Sequence, residues 1–177
     1  MSKIQSHKTA IHRKKPSFTV RTLERQKAVV NKVFDFGCGT GSDAYFLKSK
    51  GYKVSFWDPY FFPKNSPSDF TPHSFRTVFS TYLLNVISKK ERIEVIKKIH
   101  RLLHKEGKVF FTVRTFSDIS EKARKNKWKK NVDGWITKRG TFQKGFKPTE
   151  LEKFIQKCRF KTVRTISKNP LIVEASV

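Results

Sequence analysis

At 177 residues and 37% hydrophobic composition, the chain suits one domain with a core of its own. Its 39 Lys and Arg against 14 Asp and Glu leave a net charge of +25, which points to a polyanionic partner, nucleic acid first, ahead of an anionic membrane surface or a merely lysine-rich exterior. Two cysteines with no CxxC or HExxH string argue against a disulfide framework or a bound metal, and no apolar run approaches the roughly 20 residues that span a bilayer.

Residues 1–17 read as a basic, flexible arm without the apolar segment of a secretory signal, so a cytoplasmic protein with no membrane partner is expected. The remainder, 18–177, reads as one domain. "FTVRTLERQKAVV" spaces Val20, Leu23, Ala28 and Val29 for an opening helix. "KVFDFG" predicts a strand, "SDAYFLKSKG" a helix closed by Gly51, and "YKVSFWD" a second strand. "FRTVFSTYLLNVI" predicts another strand. "KKERIEVIKKIHRLLHKEG" predicts a helix with Ile93, Ile96, Ile99, Leu102 and Leu103 inward, stopped by Gly107. "KVFFTVR" is a continuous apolar strand of the kind covered on both faces. This alternation predicts an α/β fold with a doubly wound, mostly parallel sheet. After Arg114 the rhythm breaks: residues 115–147 form an insertion after the fifth strand, basic and aromatic, with Trp128, Trp135, Phe142 and Phe146. "KPTELEKFIQKC" resumes as a helix, with Thr149 and Glu152 as a cap and Leu151, Phe154 and Ile155 inward. "FKTVRTIS" and "LIVEASV" close the sheet as a hairpin.

The glycine loop "VFDFGCGTGSD" carries Gly37, Gly39 and Gly41. A dinucleotide fingerprint would need G-x-G-x-x-G, where Ser42 stands in the third glycine's place, and a P-loop would need a terminal GK[ST]. Asp35, two residues before the first glycine, would repel a pyrophosphate but suits an ammonium group. Asp58, ending the next strand, can accept both hydroxyls of a ribose. An ammonium at one end and a ribose in the middle describe S-adenosylmethionine.

"VFDFGCGTG" followed by "YKVSFWDPY" resembles the first two motifs of class I S-adenosylmethionine-dependent methyltransferases. The resemblance implies a seven-stranded sheet whose last hairpin reverses one strand, and cofactor contacts at Asp35, Gly37, Gly39, Gly41 and Asp58, with Leu84 beside them. "IHRKKPSFTVRTL", "LLNVISKKERIEVIKKIHRLL" and "VDGWITKRGTFQKGFKPTEL" further resemble the DNA phosphorothioation-associated putative methyltransferases.

The acceptor is less marked. Ring-carbon methylation of cytosine needs a well-placed cysteine, which neither Cys38 nor Cys158 supplies, and the [DNS]PP[YFW] string of exocyclic-amine methylation is absent. Asn85 could orient an amine or a base edge, or cap the helix that follows. Asp118 and Asp133 read as bases or, more simply, as partners for surrounding cations. In "KRGTFQKGF", Arg139 and Gln143 are the candidates to hold the acceptor, with Phe142 as a stacking plate; the competing view makes Phe142 and Phe146 plugs at the sheet edge. The expected function is methyl transfer to nucleic acid, DNA ahead of RNA, with a non-catalytic nucleic-acid binder or a small-molecule methyltransferase as alternatives.

Overall fold

The computed structural model describes residues 6–9, 13 and 15–177. Ser17 Oγ accepts the Val20 amide and starts α1 (Phe18–Arg25), which buries Val20 and Leu23. The chain then runs through β1 (Val33–Phe36), α2 (Ser42–Ser49), β2 (Val54–Trp57), β3 (Phe75–Thr81), α3 (Lys89–Leu102) and β4 (Leu103–Val113). Beyond β4 come α4 (Phe116–Lys125), the short strands β5 (Lys129–Asn131), β6 (Gly134–Ile136) and β7 (Phe142–Gln143), then α5 (Pro148–Gln156), β8 (Thr162–Lys168) and β9 (Leu171–Ser176). The main sheet has the order β2-β1-β3-β4-β9-β8, in which β1 to β4 pair in parallel and β9 runs antiparallel to both neighbours. One face packs Val20, Leu23, Leu47, Phe79 and Phe110. The other packs α3 and α5 through Ile96, Ile99, Leu151 and Ile155 against Phe111 and Val173.

Several expectations are corrected. The sheet has six strands, not seven, and β2 is its edge. The segment between β2 and β3 contains Pro59, Pro63, Pro67 and Pro72, which lack ladder donors and fix φ, so it forms one 3₁₀ turn (Pro67–Asp69) and an isolated Asp58–Phe62 bridge. The third predicted strand stops at Thr81, because Tyr82 takes a left-handed φ of 58°. The long helix ends at Leu102 rather than Gly107. Leu103 already pairs with Phe75, and the register shifts before Lys108 meets Thr77. Thr149 and Glu152 do not cap α5: Glu150 accepts the Lys147 amide, while Glu152 accepts the amide and hydroxyl of Thr165.

The insertion is more ordered than its sequence suggests. Thr115 caps α4, and β5, β6 and β7 form a second antiparallel sheet. A Thr115–Phe146 bridge ties it to the end of β4. Much of the predicted arm lies outside the described residues. Of its described part, the Arg13 carbonyl accepts from Ser42 Oγ and the Ser17 amide donates to Asp43, so both are fastened to the start of α2.

Candidate active site

The parallel strands end together, and at their carboxyl edge a cavity of about 760 Å³ opens. Its floor is the loop from β1 to α2. Gly37, Gly39 and Gly41 have φ of 72°, 55° and 82°, a region open to glycine at little cost. A Cβ on Gly37 would stand 2.7 Å from Leu83 Cδ2, and one on Gly41 would stand 2.9 Å from the Tyr45 ring. The amides of Gly37 and Cys38 both donate to the Trp57 carbonyl, which fixes the loop to β2. Asp58 then closes the arrangement. Its Oδ2 accepts the Gly39 amide at 3.1 Å, and its Oδ1 accepts the amides of Tyr60 and Phe61 at 2.9 and 3.2 Å. The carboxylate is thereby aimed and lines the cavity wall.

Asp35 sits behind the wall rather than in it. It is buried, and its Oδ2 has no hydrogen-bond partner among the described residues. Burial first, then the neighbouring Asp43, pushes its carboxyl well above the usual carboxylate range; Arg13 opposes them and Asp58 adds to them. The site thus gathers three carboxylates, Asp35, Asp43 and Asp58, around a glycine loop with Arg13 as the counter-charge. That donor set suits a ligand carrying positive charge. Cys38, in the loop, is no nucleophile: burial and the same acids push its thiol far above the usual range.

The other predicted residues separate. Gly37, Gly39 and Asp58 line the cavity, while Gly41 is the residue that starts α2. Leu84 is wholly buried in the core, and its neighbour Leu83 faces the cavity instead. Asn85 lines the cavity, yet its amide is committed: Oδ1 accepts the Arg114 amide at 3.0 Å and Nδ2 donates to the Lys144 carbonyl at 2.6 Å. It does not cap α3 either, since Ser88 and Glu91 make a reciprocal capping box there. Gln143 lines the cavity, whereas Arg139 is exposed on the turn between β6 and β7, away from the cavity wall. Phe142 is 2% exposed, so the plug reading replaces the stacking plate. Asp133 pairs with Arg92 and Lys144, and Asp118 with Arg114 and Lys122, as partners of cations.

Sequence reasoning missed four residues. Arg13 and Tyr82 lie in the wall, as does Arg114, whose guanidinium is 5.7 Å from the Tyr82 ring. Arg92 is 1% exposed: its Nε donates to the Leu84 carbonyl at 2.9 Å, its Nη1 to Asp133 at 2.6 Å, and it lies over the rings of Phe142 and Phe146. Its spacing to Ile96 and Ile99 was the available signal, since the three share one helix face. Among the described residues no group of three or more His, Cys, Asp or Glu could hold a metal, and no helix is long and apolar enough to cross a membrane.

A family model described as a methyltransferase domain matches residues 7–165. The chain belongs to this methyltransferase family. As a methyltransferase it is an enzyme, with S-adenosylmethionine as its cofactor, and the glycine loop, with Asp58 in its wall and Asp35 behind it, fits that cationic ligand. Its fold is that of solved methyltransferases. The 1,6-didemethyltoxoflavin-N1-methyltransferase of Burkholderia thailandensis, solved with 1,6-didemethyltoxoflavin and S-adenosylhomocysteine, is 15% identical over 97% of this chain and 77% of that one, with a TM-score of 0.62. An S-adenosylmethionine-dependent methyltransferase of Archaeoglobus fulgidus is 10% identical over 90% and 93%, with a TM-score of 0.64. The phosphoethanolamine N-methyltransferase 2 of Haemonchus contortus is 17% identical over 85% of this methyltransferase and 39% of its own chain, with a TM-score of 0.56. No curated protein matches in sequence.

Proposed function

We propose that the enzyme transfers the methyl group of S-adenosylmethionine to a heteroatom of nucleic acid, DNA ahead of RNA. The observation that carries this reading is the net charge of +25, far in excess of what a small soluble acceptor calls for. The resemblance of the "RGTFQK" stretch to phosphorothioation-associated putative methyltransferases adds support for DNA. When bound, the cofactor supplies an electrophilic methyl on a sulfonium. The residues of this chain hold it: Asp58 the ribose hydroxyls, the backbone of Gly37 and Gly39 the close approach, and Asp35 the charge that answers the ammonium, with Gly41 and Leu84 keeping the loop and the strand end behind it in shape. Gln143 faces the acceptor, Asn85 positions that wall, and Arg139 on the exposed turn contacts phosphates of the polymer.

A second reading, a small-molecule acceptor, draws on the names of neighbours that act on 1,6-didemethyltoxoflavin and phosphoethanolamine. One experiment separates the two. Incubation with methyl-labelled cofactor and either DNA, RNA or a small-molecule extract, followed by mass spectrometry of the digested products, should place label on a nucleoside. Binding to the polymer should weaken with a log–log salt slope of several units. Label found only in small molecules, with a flat salt response, overturns the nucleic-acid reading.

A further inference from the structure

We propose that the acceptor wall takes one planar heterocycle, a nucleobase, laid against the Tyr82 ring with its edge on the Gln143 amide. This rests on the nucleic-acid reading above and specifies its site. The cavity divides by chemistry: the Asp58 end suits a ribose and the glycine loop an amino-acid tail, and of the remaining wall the ends of β3 and β4 and the β7 strand are assigned to the acceptor.

Three observations converge there. Tyr82 holds φ of 58°, a left-handed conformation that is an outlier for so bulky a side chain. Its amide donates to the Thr112 carbonyl at 2.8 Å, which locks the conformation. The ring is only half-buried, so core packing does not require an aromatic here. Glycine would fit the backbone without strain, and a strained aromatic at the rim of a binding cavity favours use over packing. Second, the Gln143 side chain makes no hydrogen bond among the described residues, although it is half-buried and lines the cavity. In contrast, the Asn85 amide close by is fully committed. A free carboxamide presents a donor and an acceptor side by side, the pattern that matches a nucleobase edge. Third, Arg114 sits 5.7 Å from the Tyr82 ring while paired to Asp118 at 3.1 Å, so the ring is braced by a cation that is itself anchored. Tyr82 offers, at the ends of β3 and β4, a cavity-lining ring on which an unstacked base can lie.

The test is calorimetric, with the protein saturated in S-adenosylhomocysteine. The probes are the nucleoside 5′-monophosphates and short single strands of DNA and RNA of mixed sequence. Tyr82→Gly should melt at a higher temperature than wild type yet bind the probes about tenfold more weakly or worse. Tyr82→Phe should recover most of that loss, and Gln143→Ala should weaken binding and change the preference among the four bases. All three should bind S-adenosylhomocysteine as wild type does. Binding of strands but not monophosphates assigns the base to a polymer, and comparable binding of both assigns it to a free nucleotide. Strand binding unaffected by Tyr82→Gly and Gln143→Ala overturns this site while leaving nucleic acid as acceptor. Failure of wild type to bind any probe while it still binds S-adenosylhomocysteine overturns both. A lower melting point for Tyr82→Gly shows the ring to be structural and also overturns the proposal.

Discussion

Asp35→Asn should stabilise the enzyme and weaken its hold on the cofactor at the same time. The wild-type carboxyl is buried with an unpartnered oxygen, beside Asp43 and Asp58, and its pKa is raised by burial first and by those acids next. An amide of the same shape removes the charge. Relief of a buried charge beside two other acids amounts to about 1–2 kcal/mol, or about 2–8 °C in melting temperature for a domain of this size. The sign of the pH dependence follows from the raised folded-state value. The unfolded carboxyl titrates near ~3.9, so the native state holds its proton more tightly. The stability that Asp35 contributes to the cofactor-free enzyme is then fully present below that pH and is lost as pH rises through the folded-state value. Asp35→Asn should lack that decline. A bound cation reverses the preference: cofactor binding should strengthen with rising pH and release a proton. In Asp35→Asn, affinity should drop about tenfold, toward the low end of a charge-assisted contact at ~1.5 kcal/mol. Thermal melts from pH 4 to 8, with calorimetry in buffers of different ionisation enthalpy, measure both effects. A variant that melts lower and binds S-adenosylhomocysteine unchanged would refute the argument, since Asp35 would then be a structural acid.

Asp58→Ala should reduce cofactor affinity about ten- to a hundredfold and also lower the melting point, because three backbone amides lose their acceptor; calorimetry and a melt on the same sample check both. Cys38 should resist alkylation at pH 8 in the native enzyme and react on unfolding, given the direction in which burial and the nearby acids move its thiol. Arg92→Ala should cost about 2–4 kcal/mol in denaturant melts, chiefly through lost packing against Phe142 and Phe146, since Asp133 keeps Lys144 and is part-exposed. Asn85→Ala should cost about 1–3 kcal/mol and speed amide exchange across residues 129–146 while leaving S-adenosylhomocysteine affinity intact. A stable Asn85→Ala enzyme that has lost only methyl transfer would instead show its amide at work on the acceptor.

The glycine loop and its acids were legible as one unit because they are local. The β1 strand, the three glycines and the acids at the ends of β1 and β2 lie within one βαβ unit, where spacing along the chain nearly determines position in space. The acceptor half is assembled from segments far apart in sequence. Asn85 meets Arg114 and Lys144 across 29 and 59 residues, so an amide that reads as catalytic or capping proves to be a fastener. Arg92 was missed because isolated charges rarely enter a core, but Asp133, 41 residues on, supplies the partner that permits it. Phe142 reads as a plate beside Arg139 and Gln143 because alternation along a two-residue strand is too short to show which face is covered. The seventh strand came only from the resemblance, whereas the four prolines after β2 argue against a strand there.

The two halves are mechanically joined, which bears on how the enzyme meets its substrates. Three strands of three, three and two residues cannot stand alone as a sheet. The insertion borrows its order from the turn after β3, where the Leu84 carbonyl takes Arg92, the Asn85 side chain takes Arg114 and Lys144, and the Asn85 carbonyl accepts the Lys144 amide. That same turn carries Leu83, the side chain against which Gly37 packs so closely that a Cβ would collide. A cofactor that settles on the glycine loop should therefore press on Leu83, and through the following two residues on the frame that holds Gln143 at the cavity wall. Ordering one half should then remove conformational freedom from the other, so that each ligand finds part of its ordering cost already met. Linkage makes this reciprocal: if the cofactor sharpens the acceptor site, a bound base must tighten the cofactor by the same factor. Asn85 holds the insertion through both its side chain and its carbonyl, which is why its amide is spent on the protein and not on the substrate.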